Sequence, residues 1–327
     1  MAPKRVILGA IVLVAAVIAV YLFTGKAHVE ATKISVRLAW IPGVTFIGDY
    51  VAQDQGYWKS RGLDVKVEPG GFELDAIKLV AAGADTIGVT SGPQFVQARA
   101  SGVPIVALAS TIPKSPIGWI SKADSGIKTP QDFKGHRVGS QFGTHTEITL
   151  EAMMARLDIP LSSFERIAVK FDPRPFVVGE IDVLPVYLID QPVDLEAQGI
   201  KLNRIDPGDY GAAFDYGNIY FTTEKNIKEM PQTIKAFLEG ASEGWSRAES
   251  NRPAALDILY TRVETPDAAI LTRKLDEMFA FITKDGAPYP GLYPVTLDGL
   301  NSIKEILVTY GGLTSEVDVD SAVYSMK

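Results

Sequence analysis

The 327-residue chain has no cysteine and only three histidines, His28, His136 and His145. Without a thiol it can form no disulfide, thiolate nucleophile, cysteine-held zinc, iron–sulfur cluster or lipid-bearing cysteine. The histidines follow no HExxH spacing, so a catalytic zinc would lack an ordinary ligand set. Positive charge is also scarce. The 32 Lys and Arg against 39 Asp and Glu give a formal charge of −7 and a pI near 5.2. That balance repels phosphate backbones and excludes nucleic-acid binding as the main role. GxxxxGK[ST], fixed-period repeats and low-complexity tracts are all missing, which argues against triphosphate binding, solenoids and propellers. No metal and no cofactor is expected.

With 46% hydrophobic and 22% charged residues, the composition is that of a globular protein, and the length suggests two domains. Lys4 and Arg5 precede Val6 to Phe23, an uncharged run that would be about 27 Å long as a helix, close to bilayer thickness. Residues 1–30 therefore read as either a cleaved signal peptide or a signal anchor, with small residues Gly25 and Ala27, or Val29 and Ala31, as cleavage positions. In both cases the basic end stays inside and the remainder faces the exported, periplasmic or extracytoplasmic side.

Beyond residue 30, short β-branched runs alternate with amphipathic stretches. Ile34 to Trp40, Leu63 to Val67, Thr86 to Thr90 and Ile105 to Ala109 read as strands, and residues 47–60, 73–82 and 93–101 as helices ending near Gly62, Gly83 and Gly102. After a polar connection, Lys122 to Gly135, a second set follows: Val138 to Gln141, a helix from Thr146 to Leu157, Ile167 to Phe171, and Ile181 to Ile189. The chain returns through Ile219 to Thr222 into helices at Asn226–Ser250, Pro253–Tyr260, Pro266–Thr283 and Leu297–Tyr310, with 287–294 as a rigid surface loop. The expected fold is α/β with two lobes, each a mostly parallel sheet flanked by helices. Lobe 1 comprises 33–118 and 217–327, and lobe 2 comprises 119–216. Ligands of such sheets bind beyond the carboxyl ends of the strands.

Candidate site residues cluster at those strand ends. Trp40 is followed by Phe46, Asp49 and Tyr50; the aromatics either stack on a flat ligand or cap the core. Gly71, at the end of the second strand, suits close backbone approach or a turn. Ser91 and Gln94 open a helix, where Ser91 is a helix cap or part of an anion cradle. Gln141, Thr144 and Glu147 form a second such opening, with His145 read as a polar loop residue rather than a base. Tyr187, Asp190 and Gln191 end a strand, and Tyr210 lies in an Asp-rich crossing segment. The carboxylates show no acid and base spacing, so glycosidase chemistry does not follow.

Several stretches resemble one family: WIPGVTFIGDYVA at 40–52, GYWKSRGLDVKVEPGG at 56–71, AAGADTIGV at 81–89 and SGIKTPQDFKGHRVG at 125–139. They are similar to ABC-importer substrate-binding proteins for thiamine-pyrimidine precursors, nitrate, taurine and alkanesulfonates, a family that includes the fungal pyrimidine-precursor synthase. The resemblance runs from about residue 34 to about 265. It implies a type 2 periplasmic binding fold whose lobes close on a small organic nutrient, such as a thiamine-pyrimidine precursor or another flat heteroaromatic, and deliver it to an inner-membrane ABC permease without catalysis. It also implies a monomer, which touches the membrane only through an uncleaved N-terminal segment. In the precursor-binding motif W-x-P-N-x-x-H, Trp40 and Pro42 match, while Gly43 and Phe46 replace the Asn and His. The family's Asn-Glu-Pro is replaced by Asp190, Gln191 and Pro192. A synthase would need the histidine and a cysteine-rich segment, both missing. An anchored extracytoplasmic sensor is the other alternative, and would need a separate output partner.

Overall fold

Runs of β-branched and aliphatic residues form β1 (Thr32–Arg37), β2 (Leu63–Glu68), β3 (Ile87–Thr90) and β4 (Ile105–Lys114), and a second set forms β5 (Ile117–Lys122), β6 (Arg137–Ser140), β7 (Glu165–Ala168), β8 (Val183–Tyr187) and β9 (Leu202–Ile205). The chain then re-enters the first sheet as β10 (Asp215–Thr223). The strand orders are β2-β1-β3-β10-β4 and β7-β6-β8-β5-β9. The computed structural model describes residues 30–71, 73–170, 172–263, 267–283, 289–310, 313 and 317–324. The expected membrane-directing segment, 6–23, lies outside them. Among the described residues no helix is long and apolar enough to cross a membrane.

Both sheets follow one rule. In the first, β1 pairs in parallel with β2 and β3, while β10 runs antiparallel between β3 and β4. In the second, β6 is parallel to β7 and β8, and β5 is antiparallel to β8 and β9. Each sheet is thus four strands of one direction with the other segment's crossover strand inserted against them. Sequence reasoning missed β5 and β9. Ile117–Lys122 carries a glycine at 118 and shows no alternation of apolar and polar residues, and Leu202–Ile205 carries two polar residues, Asn203 and Arg204.

The crossovers set how the sheets meet. Only Ser115 and Pro116 separate the end of β4 from the start of β5, and Ile117 pairs with Tyr187, the last residue of β8. The carboxyl ends of the first sheet's strands therefore abut the carboxyl ends of the second's. The return path agrees: β9 ends at Ile205 opposite Trp119, and β10 starts at Asp215 opposite Lys114. Apolar packing follows this hinge through Ile205, Ala212, Phe214 and Tyr216.

Helices cover the first sheet more heavily than the second. The helix Ile47–Asp54 packs against Pro231–Ser250, which carries glycines where the two helices and a tryptophan meet. A Cβ on Gly244 would lie 2.3 Å from the Gly48 carbonyl oxygen, and one on Gly240 would lie 2.3 Å from the Trp58 ring. The expected continuous helix 226–250 is broken into Glu224–Glu229 and Pro231–Ser250. Pro231 supplies no N–H and drives Met230 out of helical conformation (φ −137°, ψ 50°). The segment expected as a surface loop at 287–294 is partly internal: Tyr289 is buried, and Tyr293 exchanges backbone hydrogen bonds with Ser110 on β4.

Candidate ligand cleft between the two sheets

After β1 the chain bends through Trp40 with its backbone tied on both sides. Gly70 packs so close that a Cβ would lie 2.0 Å from the Leu38 carbonyl oxygen, and its N–H donates to the Trp40 carbonyl (3.0 Å). From β10, the buried Asn218 donates through Nδ2 to the Thr45 carbonyl (3.4 Å). Trp40 itself is half-buried against the first core.

Phe46, Asp49 and Tyr50, expected at the ligand, are placed elsewhere: their relative exposures are 2%, 1% and 3%. The face of the helix they start turns inward under Pro231–Ser250, so as folded they are packing residues. Asp49 accepts a 2.5 Å hydrogen bond from the Tyr220 hydroxyl, whose oxygen accepts from Trp245 Nε1 at 2.9 Å. Its other carboxylate oxygen has no hydrogen-bond partner. Burial pushes the Asp49 carboxyl up to about 7, against the opposing Tyr220 hydrogen bond.

At the end of β3, Ser91 caps the helix Gly92–Ala100 by accepting from the Gln94 N–H (3.4 Å), and its hydroxyl donates back to Gln94 Oε1 (3.0 Å). The pair satisfies itself, as a helix cap does. Gln94 is nonetheless exposed. Gly71 takes φ 151° in the turn after β2 and bridges to Leu74. Such a turn requires a glycine.

In the second sheet, Ser140 ends β6 with a buried hydroxyl that has no hydrogen-bond partner, beside the buried Gln141. Thr144 is exposed and caps the helix His145–Arg156. Glu147 accepts from the Gly143 N–H (2.7 Å) and pairs with Arg166 (3.2 Å). Burial pushes the His145 imidazole down to about 4, so it is neutral at pH 7. Tyr187 is half-buried at the crossover, and its backbone N–H donates to Gln191 Oε1 (2.7 Å). Burial, with Asp190 nearby, pushes its phenol up to about 12. Asp190 is occupied by Lys274 at 2.6 Å. Tyr210 closes a short turn, Pro207–Tyr210, and packs on the second core.

Strand topology thus brings Trp40, Gly71, Ser91, Gln141, Thr144, Tyr187, Asp190 and Gln191 to the facing edges, and withdraws Phe46, Asp49 and Tyr50. Sequence reasoning missed Tyr216, where β10 begins. It holds φ 59°, left-handed for a bulky residue, and its hydroxyl accepts from the Thr296 N–H (3.0 Å). Strain of that kind suits a hinge position. It also passed over GASEG at 240–244, which matches GxSxG. The run lies inside Pro231–Ser250 rather than at a strand-to-helix turn, so it is no nucleophile elbow. Ser242 faces a groove of about 830 Å³ at the β4 edge, lined also by Leu108, Leu292, Tyr293 and Tyr324. Among the described residues no group of three or more acidic or histidine side chains is arranged to hold a metal ion.

The family model described as NMT1/THI5 like matches residues 44–255. The chain is 25% identical over 252 residues to the formylaminopyrimidine-binding protein of Halalkalibacterium halodurans, covering 76% of each sequence. It is 24% identical over 314 residues to the riboflavin-binding protein RibY of Chloroflexus aurantiacus, covering 91% of this chain and 86% of that one. The crystal structure of the periplasmic aliphatic sulphonate-binding protein SsuA from Escherichia coli superimposes with a TM-score of 0.73 at 17% identity, covering 91% of this chain and 93% of that one.

Proposed function

The chain belongs to the NMT1/THI5-like family, and from that premise we propose that it is an exported, non-catalytic solute receptor. It binds a flat, uncharged organic nutrient between two hinged lobes, 33–118 with 217–327 and 119–216, and presents it to an ABC permease. One observation carries the ligand class. The strand-end segments 40–46, 69–71, 90–94, 140–147 and 187–191 contain an indole, a phenol and small polar groups but no Lys or Arg. Cations beside them are engaged: Arg37, which donates to the Pro69 carbonyl, with Asp85, Lys274 with Asp190, Arg166 with Glu147, and Lys114 with Asp206. A sulfonate or nitrate would have to be desolvated without a compensating cation, which is costly. A neutral heteroaromatic ring loses little hydration and gains stacking area on Trp40.

Both relatives named above bind heteroaromatic compounds, which supports this reading over the sulfonate ligand of the structural neighbour. Catalysis has less support, since Phe46 stands in the histidine position and lies in the core. Calorimetric titration with riboflavin, formylaminopyrimidine, hydroxymethylpyrimidine and an alkanesulfonate tests the proposal. Binding of one of the heteroaromatics with no heat from the alkanesulfonate is expected. Binding of the alkanesulfonate alone would refute it.

A further inference from the structure

Resting on that reading of the cleft, we propose that a charged cluster centred on Lys274 is the clasp that keeps the two lobes closed over the ligand. The helix Ala268–Ile282 belongs to the first lobe: Leu271, Leu275, Met278, Phe279 and Ile282 are buried in its core, and the helix touches the Val44–Phe46 turn behind Trp40. The helix Gln191–Ala197 follows β8 and packs on it in the second lobe. Between the two, Lys274 Nζ lies 2.6 Å from Asp190 and 2.8 Å from Asp194. Arg204 on β9 lies 2.6 Å from Glu277, and Arg273 pairs with Glu196. Each of these pairs has one partner in each lobe.

The cluster flanks the crossovers: Leu188, two residues before Asp190, donates its N–H to the Pro116 carbonyl, and Arg204 stands next to the last residue of β9, so a rotation of the lobes about the crossovers changes the distances within it. Its composition suits repeated breaking. Water can replace both partners of an ion pair, so the made and broken states differ little in free energy. An apolar contact of the same size would resist opening. Lys274 is the most buried charged group of the cluster: its side chain is 13% exposed, against 21% or more for the others, while its partners Asp190 and Asp194 are 37% and 42% exposed. Burial alone would lower the pKa of its ammonium, but Asp190 and Asp194 outweigh burial and hold it above the ordinary lysine range. Asp190 and Gln191 also line the cleft, and Gln191 holds the Tyr187 backbone. A ligand seated there favours the arrangement in which the clasp is made, and through it the closed form.

The native chain has no cysteine, so spin labels at Glu180→Cys and Lys228→Cys report the distance between lobes without background. Both positions are exposed. In ligand-free protein, Lys274→Met should shift the distance distribution to longer values, and Lys274→Arg should restore it. With riboflavin as probe, Lys274→Met should weaken binding about tenfold, within the range usual for coupled sites. An unchanged distribution, or tighter binding, would overturn the clasp. The ligand-free measurement decides the matter even if riboflavin fails to bind wild-type protein, an outcome that bears on the ligand reading alone. Should Lys274→Met not fold, Asp194→Asn removes one of the two carboxylate charges facing Lys274 and gives the same comparison.

Discussion

The two sheets share a topology and differ in what backs them. The first is braced by four helices and large buried rings: Trp58 stacks on Phe237 at 5.2 Å, Tyr220 meets Phe237 edge-on at 5.3 Å, and Trp245 and Phe279 flank Tyr289. The second has on one face a small cluster of Ile120, Phe176, Ile181, Leu184, Val186, Leu188 and Leu195, and on the other Trp119, Phe133, Val138, Met153 and Phe164, which belong to an apolar cluster that continues into the first lobe. Apolar burial contributes per unit area. On the proposed reading, the more heavily braced first lobe is the platform that fixes Trp40, and the second the jaw that swings against it.

The contrast breaks most visibly in the cores. Trp245→Ala should cost about 3–5 kcal/mol of stability by denaturant unfolding. Phe176→Ala in the smaller cluster should lie at the low end of that range or below. Equal losses would remove the distinction between platform and jaw. Next in size, Trp40→Ala should weaken the ligand by about 1–3 kcal/mol through lost stacking area, while moving the melting temperature far less than Trp245→Ala. A drop in stability without a change in affinity would make Trp40 part of the platform only.

The platform also carries a pH signature. The Asp49 carboxyl is raised to about 7 by burial, so the folded state holds a proton that the unfolded state has already released above about pH 4. Its contribution to stability is complete below the unfolded value and is lost as pH rises towards and through about 7. Thermal melts should show wild type losing stability relative to Asp49→Asn between pH 5 and 8. Parallel curves would mean that Asp49 titrates normally. The smallest effect belongs to the second lobe, where Asp158 follows a helix with φ 52°. Asp158→Gly should relieve left-handed strain and stabilise by a few tenths of a kcal/mol up to about 1 kcal/mol.

Much of the platform was legible in the sequence because β-branched runs and glycine helix ends are local signals. Gly62, Gly83 and Gly102 all adopt the positive φ their positions implied. The capping role of Ser91 was legible for the same reason. What stayed hidden depends on distant partners. Asp49 reads as a polar residue just past a strand end, and only the packing of Pro231–Ser250 turns it inward onto Tyr220, 171 residues away. Asp190 looks like a ligand group until Lys274, on a helix 84 positions later in the chain, is seen to occupy it. The left-handed backbone of Tyr216 has no local sequence signal, since a tyrosine is not what such a conformation favours.

Hydrogen exchange, measured with and without whichever heteroaromatic probe titration identifies, addresses the platform and the jaw together. If the ligand lies between them, protection should rise in Trp40–Phe46 and in Tyr187–Gln191 in the same experiment. Protection confined to one sheet, or appearing instead beside the groove at Tyr293, would contradict a ligand held between the two lobes.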